Sequence, residues 1–479
     1  MMKSRRKGSL MQLRTSEFGA LAVAAVGTLI TLISFTMPLA TVNPIAESLG
    51  ADSAGRTWIL SSMSVGLGVA LLSAGVVADD YGRRRTFVAG ALLLAAGSTA
   101  AAVAPSTLPF VIARVAQGVG GAALIASSLG LIAHTFPIGP ARAAASGVWG
   151  AAVGGGIAFG PLMAAGLDHY TSWRDAYWIV TIVAIALAIT AWQLVDESHA
   201  DHSRGLDAVG TGLLAATMTT LLTALVEGRS GWARPVVLGL AAASVVLLAL
   251  FLLVERHSRA AMLDLRLFTN PAFLAATCAA FTTGTGVIAL MSYMYGFVGT
   301  ALGISTLGAA WLLFAWSATS AVTALFARRI PLSGRWQLAV GLSAVGLGLL
   351  TLAGISTDTG WLRFLPSLLF IGVASGVVNA ALGREAVASV PAGRGSLGSG
   401  ANNTARYVGS AVGVTAVAAI ASKPAGSTAA AVVAGWNQAC LFTAVATLVG
   451  VLLILACRPR KELRRKAEIA ASAPGRAHP

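Results

Sequence analysis

The chain has 479 residues, 56% of them hydrophobic and only 11% charged, with a mean hydropathy of +0.78. A soluble domain carries about 25% charged residues, so this composition cannot build a water-facing surface and excludes a soluble enzyme, cytosolic or secreted. The formal charge of +15 is spread over short clusters between apolar runs, with no stacking aromatics among them, which excludes a nucleic-acid surface as well.

In chain order, a basic segment at 1–17 (Lys3, Arg5, Arg6, Lys7) precedes an apolar run too long for a signal-peptide core. It is read as a cytoplasmic lead into a retained first helix. Apolar runs near 18–45, 57–78, 86–104, 108–134, 143–166 and 174–195 make a first group of six, residues 18–195. A segment at 196–258 follows, with a polar stretch (196–207) and two further runs at 207–226 and 235–254. Residues 236–254 are unbroken by any polar residue but Ser244, and about 18 such residues read as a membrane span. Six more runs, near 272–298, 305–327, 336–355, 361–387, 396–421 and 436–457, make a second group within 259–457, and a basic cytoplasmic tail (458–479) closes the chain.

Length and apolarity favour fourteen crossings over twelve with a re-entrant or surface pair. With the N-terminus inside, 25 of the 33 Lys and Arg fall on the cytoplasmic side, 6 outside and 2 (Arg114 and Arg406) within spans. The positive-inside rule is satisfied, and both termini are placed in the cytoplasm. Six, two and six suggests duplicated bundles that rock about a central site, with an inserted pair. Residues 78–84 and 330–336 echo one another, each placing Gly-Arg at a cytoplasmic turn before an apolar helix.

Several stretches carry polar chemistry. Gly75-Val-Val-Ala-Asp79-Asp80-Tyr81-Gly82-Arg83-Arg84-Arg85 forms a tight turn between the second and third helices. Gly75 permits close helix approach, Gly82 a positive φ, and Asp79 an ion pair or a cap on a neighbouring helix. In the fourth helix Arg114, Gln117 and Gly121 share a face, and an intramembrane charge is a functional-site hypothesis by default. The fifth helix repeats small residues, Gly150, Gly154, Gly156 and Gly160 among them, a spacing that lets backbones approach. Its Pro161 cannot donate to the carbonyl four residues earlier, which predicts a bend. In the thirteenth, Arg406 lies about 15 Å deep, close to Asn402 and Asn403.

These stretches resemble the major facilitator superfamily, and within it the fourteen-helix drug:proton antiporter branch. Residues 75–85 resemble its signature loop, Arg114 its fourth-helix arginine motif, and Gly156-Ile-Ala-Phe-Gly160-Pro161 the antiporter signature of its exporters. Ser172-Trp173-Arg174, Gly231-Trp232 and residues 390–413 resemble the branch itself, so the likeness runs from about residue 18 to residue 457. It implies an all-α integral membrane protein with the major facilitator fold: two six-helix bundles plus two extra central transmembrane helices. In that family the loop at Gly75, Asp79, Gly82, Arg83 and Arg84 latches the bundles at the cytoplasmic face. The expected activity is alternating-access export of small hydrophobic or amphiphilic compounds, such as drugs or antibiotics, by proton antiport across the plasma membrane.

Two departures stand out. Asp80 occupies a position where the family usually has a basic residue, which predicts a weaker latch. Pro38 replaces the acid the branch places ahead of Asn43, and no Asp or Glu falls near any midplane. A cavity lined by Asn43, Asn402, Asn403 and Arg406, with Arg114 and Gln117 embedded, would be neutral to positive and favour neutral or anionic amphiphiles over multivalent cations. The candidate proton carriers are acids near the outer side, Asp175, Glu227 and Glu47. Expected partners are a small-molecule substrate, protons and the lipid bilayer, with a monomeric chain and no nucleic acid.

Cys278, Cys440 and Cys457 lack metal-ligand spacing, so no metal, cofactor or disulfide framework is expected. Nor is an enzyme: His134, His169, His199, His202 and His257 lie in loops or at span ends, with no nucleophile beside a paired base. The alternatives are export of a specific metabolite or lipid-like molecule without proton coupling, and a non-transporting receptor or scaffold.

Overall fold

The structure, a computed structural model, describes residues 2–200, 207–258, 264–421 and 428–458. All regular structure among them is helical, as a chain in lipid requires: a backbone N–H or C=O facing hydrocarbon without a partner costs several kcal/mol, roughly. The first six helices are α1 (Met2–Leu49), α2 (Ser53–Tyr81), α3 (Arg83–Ala102), α4 (Thr107–Thr135), α5 (Pro140–Tyr170) and α6 (Trp173–Leu194). Next come α7 (Ala208–Glu227) and α8 (Pro235–His257). The last six are α9 (Pro271–Leu302), α10 (Thr306–Phe326), α11 (Gly334–Thr351), α12 (Leu365–Ala388), α13 (Gly395–Ala421) and α14 (Ala429–Ala456). Thirteen helices among the described residues are long and apolar enough to cross a membrane. The fourteenth, α11, opens on Gly334-Arg335-Trp336-Gln337 and packs against α12 and α14 inside the second bundle. In α9 the backbone passes through a π-helical turn at Gly284–Ile288.

Helices α1–α6 pack chiefly on one another, as do α9–α14. The bundles meet along two seams, α2 and α4 against α13, and α5 against α10 and α12. The inserted α7 leans on α8, α2 and α13, so it lies beside the first seam. At 20 and 23 residues, α7 and α8 span about 30 Å or more. The outer side of α8 presents exposed Leu238, Val245, Val246, Leu250 and Leu253, the surface a lipid chain would cover.

Small residues set how closely the seams approach. A methyl group on Gly75 would be driven into the backbone carbonyl of Ser396 on α13. On α5 the glycines divide the work between two neighbours. A Cβ at Gly154 would lie 2.8 Å from the Ala321 nitrogen of α10, and one at Gly150 3.0 Å from the Ala380 nitrogen of α12. Gly156 and Gly160 abut α1 at Leu29, Leu32 and Ile33, and α5 runs through Pro161 as one continuous helix.

Gly75→Ala is therefore expected to wedge α2 from α13, shifting molecules toward the conformation in which this seam is open. In a background lacking the three native cysteines, Leu397→Cys, at a position 3% exposed, should go from unreactive to readily alkylated. Unchanged labelling would refute the wedge.

Candidate substrate cavity and its gate

One face of the molecule carries the α2–α3, α4–α5, α10–α11 and α12–α13 connections with Arg83, Arg84, Arg85, Arg142, Arg328, Arg329 and Arg394, and is here the basic face. On it the first bundle is pinned to the second around Asp79, whose side chain is fully buried. Its carboxylate accepts hydrogen bonds from the backbone N–H groups of Ser396 (3.2 Å) and Leu397 (2.8 Å). These are orphan donors in the first turn of α13, where the helix dipole favours an anion. Arg83, 2% exposed, grips the same carboxylate through Nε (3.0 Å) and Nη2 (2.9 Å) and donates across the seam to the Gly393 carbonyl at 2.6 Å.

Gly82, at φ +125°, makes the turn between these two residues possible. Glu197, just past α6, accepts from the backbone N–H groups of Arg84 (3.0 Å) and Arg85 (3.1 Å) and so caps α3. Arg84 itself donates to the Val195 carbonyl and stacks over Trp192.

The predicted weakening at Asp80 is corrected by the structure. Asp80, 7% exposed, forms an ion pair with Arg394 of the second bundle. The departure therefore adds an attraction across the seam, because the facing position carries an arginine. Asp80→Arg should open the basic face and lower transport about tenfold, and Arg394→Asp on top of it should restore most of the loss; failure of that rescue would show that the pair does not couple the bundles.

Arg114 is wholly buried inside the first bundle and does not line the cavity. Its Nη1 donates to the Ser34 carbonyl and to Gln117 Oε1, both at 2.7 Å, and Nη2 reaches the Phe35 carbonyl at 3.4 Å. Gln117 passes the network on to Ser98 Oγ at 2.7 Å. The reason lies in α1. Pro38 has no N–H, so the carbonyl four residues earlier, that of Ser34, is left without a helical donor, and Arg114 supplies one. The proline that replaces the expected acid thus explains the arginine's position. Arg114→Ala should destabilise the protein by about 2 kcal/mol, the cost of stranding buried polar groups, read as a drop in thermal midpoint in detergent. Pro38→Ala restores an N–H to α1 and should roughly halve that drop; additivity of the two changes would disprove the link.

The cavity itself, about 840 Å³, lies between the bundles in the half away from the gate. Its walls come from α1 (Phe35, Leu39, Asn43), α2 (Ser61, Ser64, Val65), the end of α7 (Leu222, Val226, Arg229), α9 (Ser292, Tyr293, Tyr295, Phe297, Thr300), the start of α10, and α13 (Ser410, Val414). Such a lining, apolar and aromatic with scattered hydroxyls, is what a drug-sized amphiphile requires. Phe297 stacks on buried Trp436, ring centroids 4.4 Å apart, which stiffens the aromatic wall. At the deep end Phe35 meets Tyr407 of α13 edge-on at 5.6 Å, an aromatic contact between the bundles. Through the Phe35 carbonyl, Arg114 holds the cavity floor without touching the cavity.

Of the other residues singled out from the sequence, Asn43 lines the cavity and accepts from Arg56 Nη1 at 2.7 Å. Asn402 and Asn403 do not line it, a second correction: they face helix packing on the gate side and donate to the carbonyls of Ala276 and Ser399, both at 3.0 Å. Arg406 borders a separate void of about 10 Å³, room for one water. There it donates to Asn379 Oδ1 at 3.1 Å, and Asn379 continues to Ser320. Glu227 ends α7 beside the cavity mouth, accepting from Trp58 Nε1 (2.9 Å) and Arg234 Nη1 (3.1 Å). Glu47 is exposed one turn beyond Asn43, and Asp175 is half-buried in the first turn of α6. Arg174 ties α6 to the carbonyls of Ala102 and Ala104 at the end of α3.

Sequence reasoning missed Arg229 and the aromatics of α9. The only pointer to Arg229 was the neighbouring Gly231-Trp232, whose glycine turns the chain at φ +135°.

Two helical bundles about a shared cavity, pinned together at one face by a loop of one bundle on a helix of the other, define a membrane carrier. The chain belongs to the Major Facilitator Superfamily, whose family model matches residues 24–414. It is 28% identical over 380 residues to "Multidrug resistance protein Stp" of Mycobacterium tuberculosis (strain CDC 1551 / Oshkosh), covering 78% of this chain and 70% of that protein. Over 413 residues it is 30% identical to "Probable actinorhodin transporter" of Streptomyces coelicolor, covering 83% and 71%. "Multidrug efflux pump LfrA" of Mycolicibacterium smegmatis is 27% identical over 415 residues, covering 85% and 81%. The human organic anion transporter MFSD10 (TETRAN) superposes with a TM-score of 0.65 at 17% identity, covering 91% of this chain and 99% of that one. The proton:xylose symporter XylE does so with 0.68 at 15%, covering 93% and 96%. Both have the same fold.

Proposed function

We propose that this chain is a secondary active exporter of small hydrophobic or amphiphilic compounds, working by alternating access and driven by proton entry. The observation that carries the reading is the pairing of an 840 Å³ aromatic-walled cavity with a gate closed at the opposite face by Asp79, Arg83 and the start of α13. Relatives named as multidrug efflux and resistance proteins support the same direction of transport. The basic residues around the gate support a cytoplasmic position for that face, and with it a topology that has both chain termini on that side of the plasma membrane. The conformation described is then outward-facing, the one from which an exporter releases its cargo.

Proton coupling needs a titratable group that both proton and substrate influence. Among the described residues no carboxylate lines the cavity. Glu227 ends the helix that contributes Leu222 and Val226 to the wall and directly follows Val226. Protonating it would weaken its hold on Trp58 of α2 and Arg234, which gives a proton a route to the α2–α7 contact at the cavity mouth. Glu47 and Asp175 are the remaining carriers on that face.

In proteoliposomes, an imposed pH gradient should drive movement of a neutral hydrophobic dye, and Glu227→Gln should cut the gradient-dependent part about tenfold. Gradient-driven transport that persists after Glu227→Gln, Glu47→Gln and Asp175→Asn are combined would remove these acids as carriers; no dye movement under any gradient would overturn the exporter reading itself.

A further inference from the structure

The link between the inserted helices contributes a charged side chain to the cavity wall. Arg229 lies in the 3₁₀ turn Gly228–Ser230 that links α7 to α8, and among the described residues lining the cavity no other Lys, Arg, Asp or Glu occurs. The turn is built to hold it. Trp232 folds back over Gly228, where a Cβ would sit 3.0 Å from the indole ring, and Gly231 at φ +135° reverses the chain into α8.

The guanidinium is poorly satisfied by the protein. Nη1 donates to Ser61 Oγ of α2 at 3.1 Å, while Nε is shielded from solvent and has no hydrogen-bond partner. No carboxylate lies within ion-pairing distance among the described residues. The adjacent acid, Glu227, is committed, with one oxygen to Trp58 and the other to Arg234. Burial draws the Arg229 pKa down to about 10, which leaves it positively charged at neutral pH. A half-buried cation without a counter-charge costs stability unless a ligand supplies the missing anion, and a guanidinium fork suits a carboxylate.

We infer that Arg229 is the anion-recognition subsite of the cavity, and that the transporter's preferred cargo is a monoanionic amphiphile whose carboxylate docks on Arg229 and Ser61. The apolar body of such a molecule would rest on Val65 and Val226 and reach the aromatic wall at Tyr293 and Phe297. The insert is therefore part of the binding site, placing one positive charge at the mouth of an otherwise uncharged cavity. Arg114 and Arg406 play no part in this, since neither lines the cavity.

The inference rests on the transporter reading above, and equilibrium binding separates the two. The probes are 11-(dansylamino)undecanoic acid and its methyl ester, titrated by fluorescence into the full-length protein in nanodiscs and followed in proteoliposomes. Wild type should bind the acid at least tenfold more tightly than the ester. Arg229→Gln should abolish that preference by weakening the acid at least tenfold while leaving the ester unchanged, and Arg229→Lys should keep part of it. Retained ester binding reports that the variant is folded; should Arg229→Gln fail to fold, the wild-type ratio and the Lys variant decide. Equal affinity of wild type for the two probes, or an acid preference that survives Arg229→Gln, overturns the inference. So does chloride, if raising it at constant ionic strength erases the preference, because the arginine then serves an inorganic ion. Selective binding without transport of either probe would support the subsite and count against the exporter reading alone.

Discussion

The contact that closes the basic face depends on one buried carboxylate. Removing the Asp79 charge from water costs several kcal/mol, roughly, before any partner is counted, and the compensation comes from two sources. Arg83 belongs to the same bundle and stays with Asp79 whatever the second bundle does. The Ser396 and Leu397 N–H groups belong to α13 and are available only when the bundles meet. Separating the bundles here thus exchanges three charge-assisted hydrogen bonds, those of Ser396 and Leu397 to Asp79 and of Arg83 to Gly393, and the Asp80–Arg394 pair, for bonds to water. Such an exchange can be nearly balanced in free energy, which an element with two populated states needs. An apolar seam of the same area would lack this property, since separating it would expose hydrocarbon.

The packing of the rest follows from letting that contact form. Gly75 has no side chain because the Ser396 carbonyl occupies the space, and Gly150 and Gly154 do the same for α5 on its two partners across the second seam. On the cavity side the walls carry hydroxyls and aromatics. Inside the first bundle Arg114 takes the Ser34 carbonyl that Pro38 releases and also reaches the Phe35 carbonyl, and so sets Phe35 at the cavity floor. A proline, an arginine and a phenylalanine thereby act as one device, although only the phenylalanine meets the cavity.

The inserted helices gain a role from the same geometry. Helix α7 fills the space beside the α2–α13 seam, and the turn after it carries an arginine into the cavity. A chain with two plain six-helix bundles would have no element there to do so. Family membership and the relatives' activities say nothing of this residue; its environment does.

Much of the architecture was legible in the sequence, because a membrane span announces itself by length: some twenty apolar residues suffice, and fourteen such runs can be counted without knowing their partners. The turn at 75–85 and the two embedded arginines were legible too, since charge is rare in such a chain and its positions show. Which way each helix faces was not. A helix between lipid and protein is apolar on both sides, so the periodicity that marks a buried face in a soluble protein is weak, and Asn402 and Asn403 were read into the cavity though they face packing. Partners distant in the chain were equally hidden. Asp80 and Arg394, 314 residues apart, looked like a defect and an unrelated loop arginine. The sequence by itself determined that this chain crosses a membrane many times and where its charges lie along each helix. Only the tertiary structure decided which charges meet, which stay unpaired and which face the cavity, because those depend on helix rotation and on contacts between bundles that local composition does not encode.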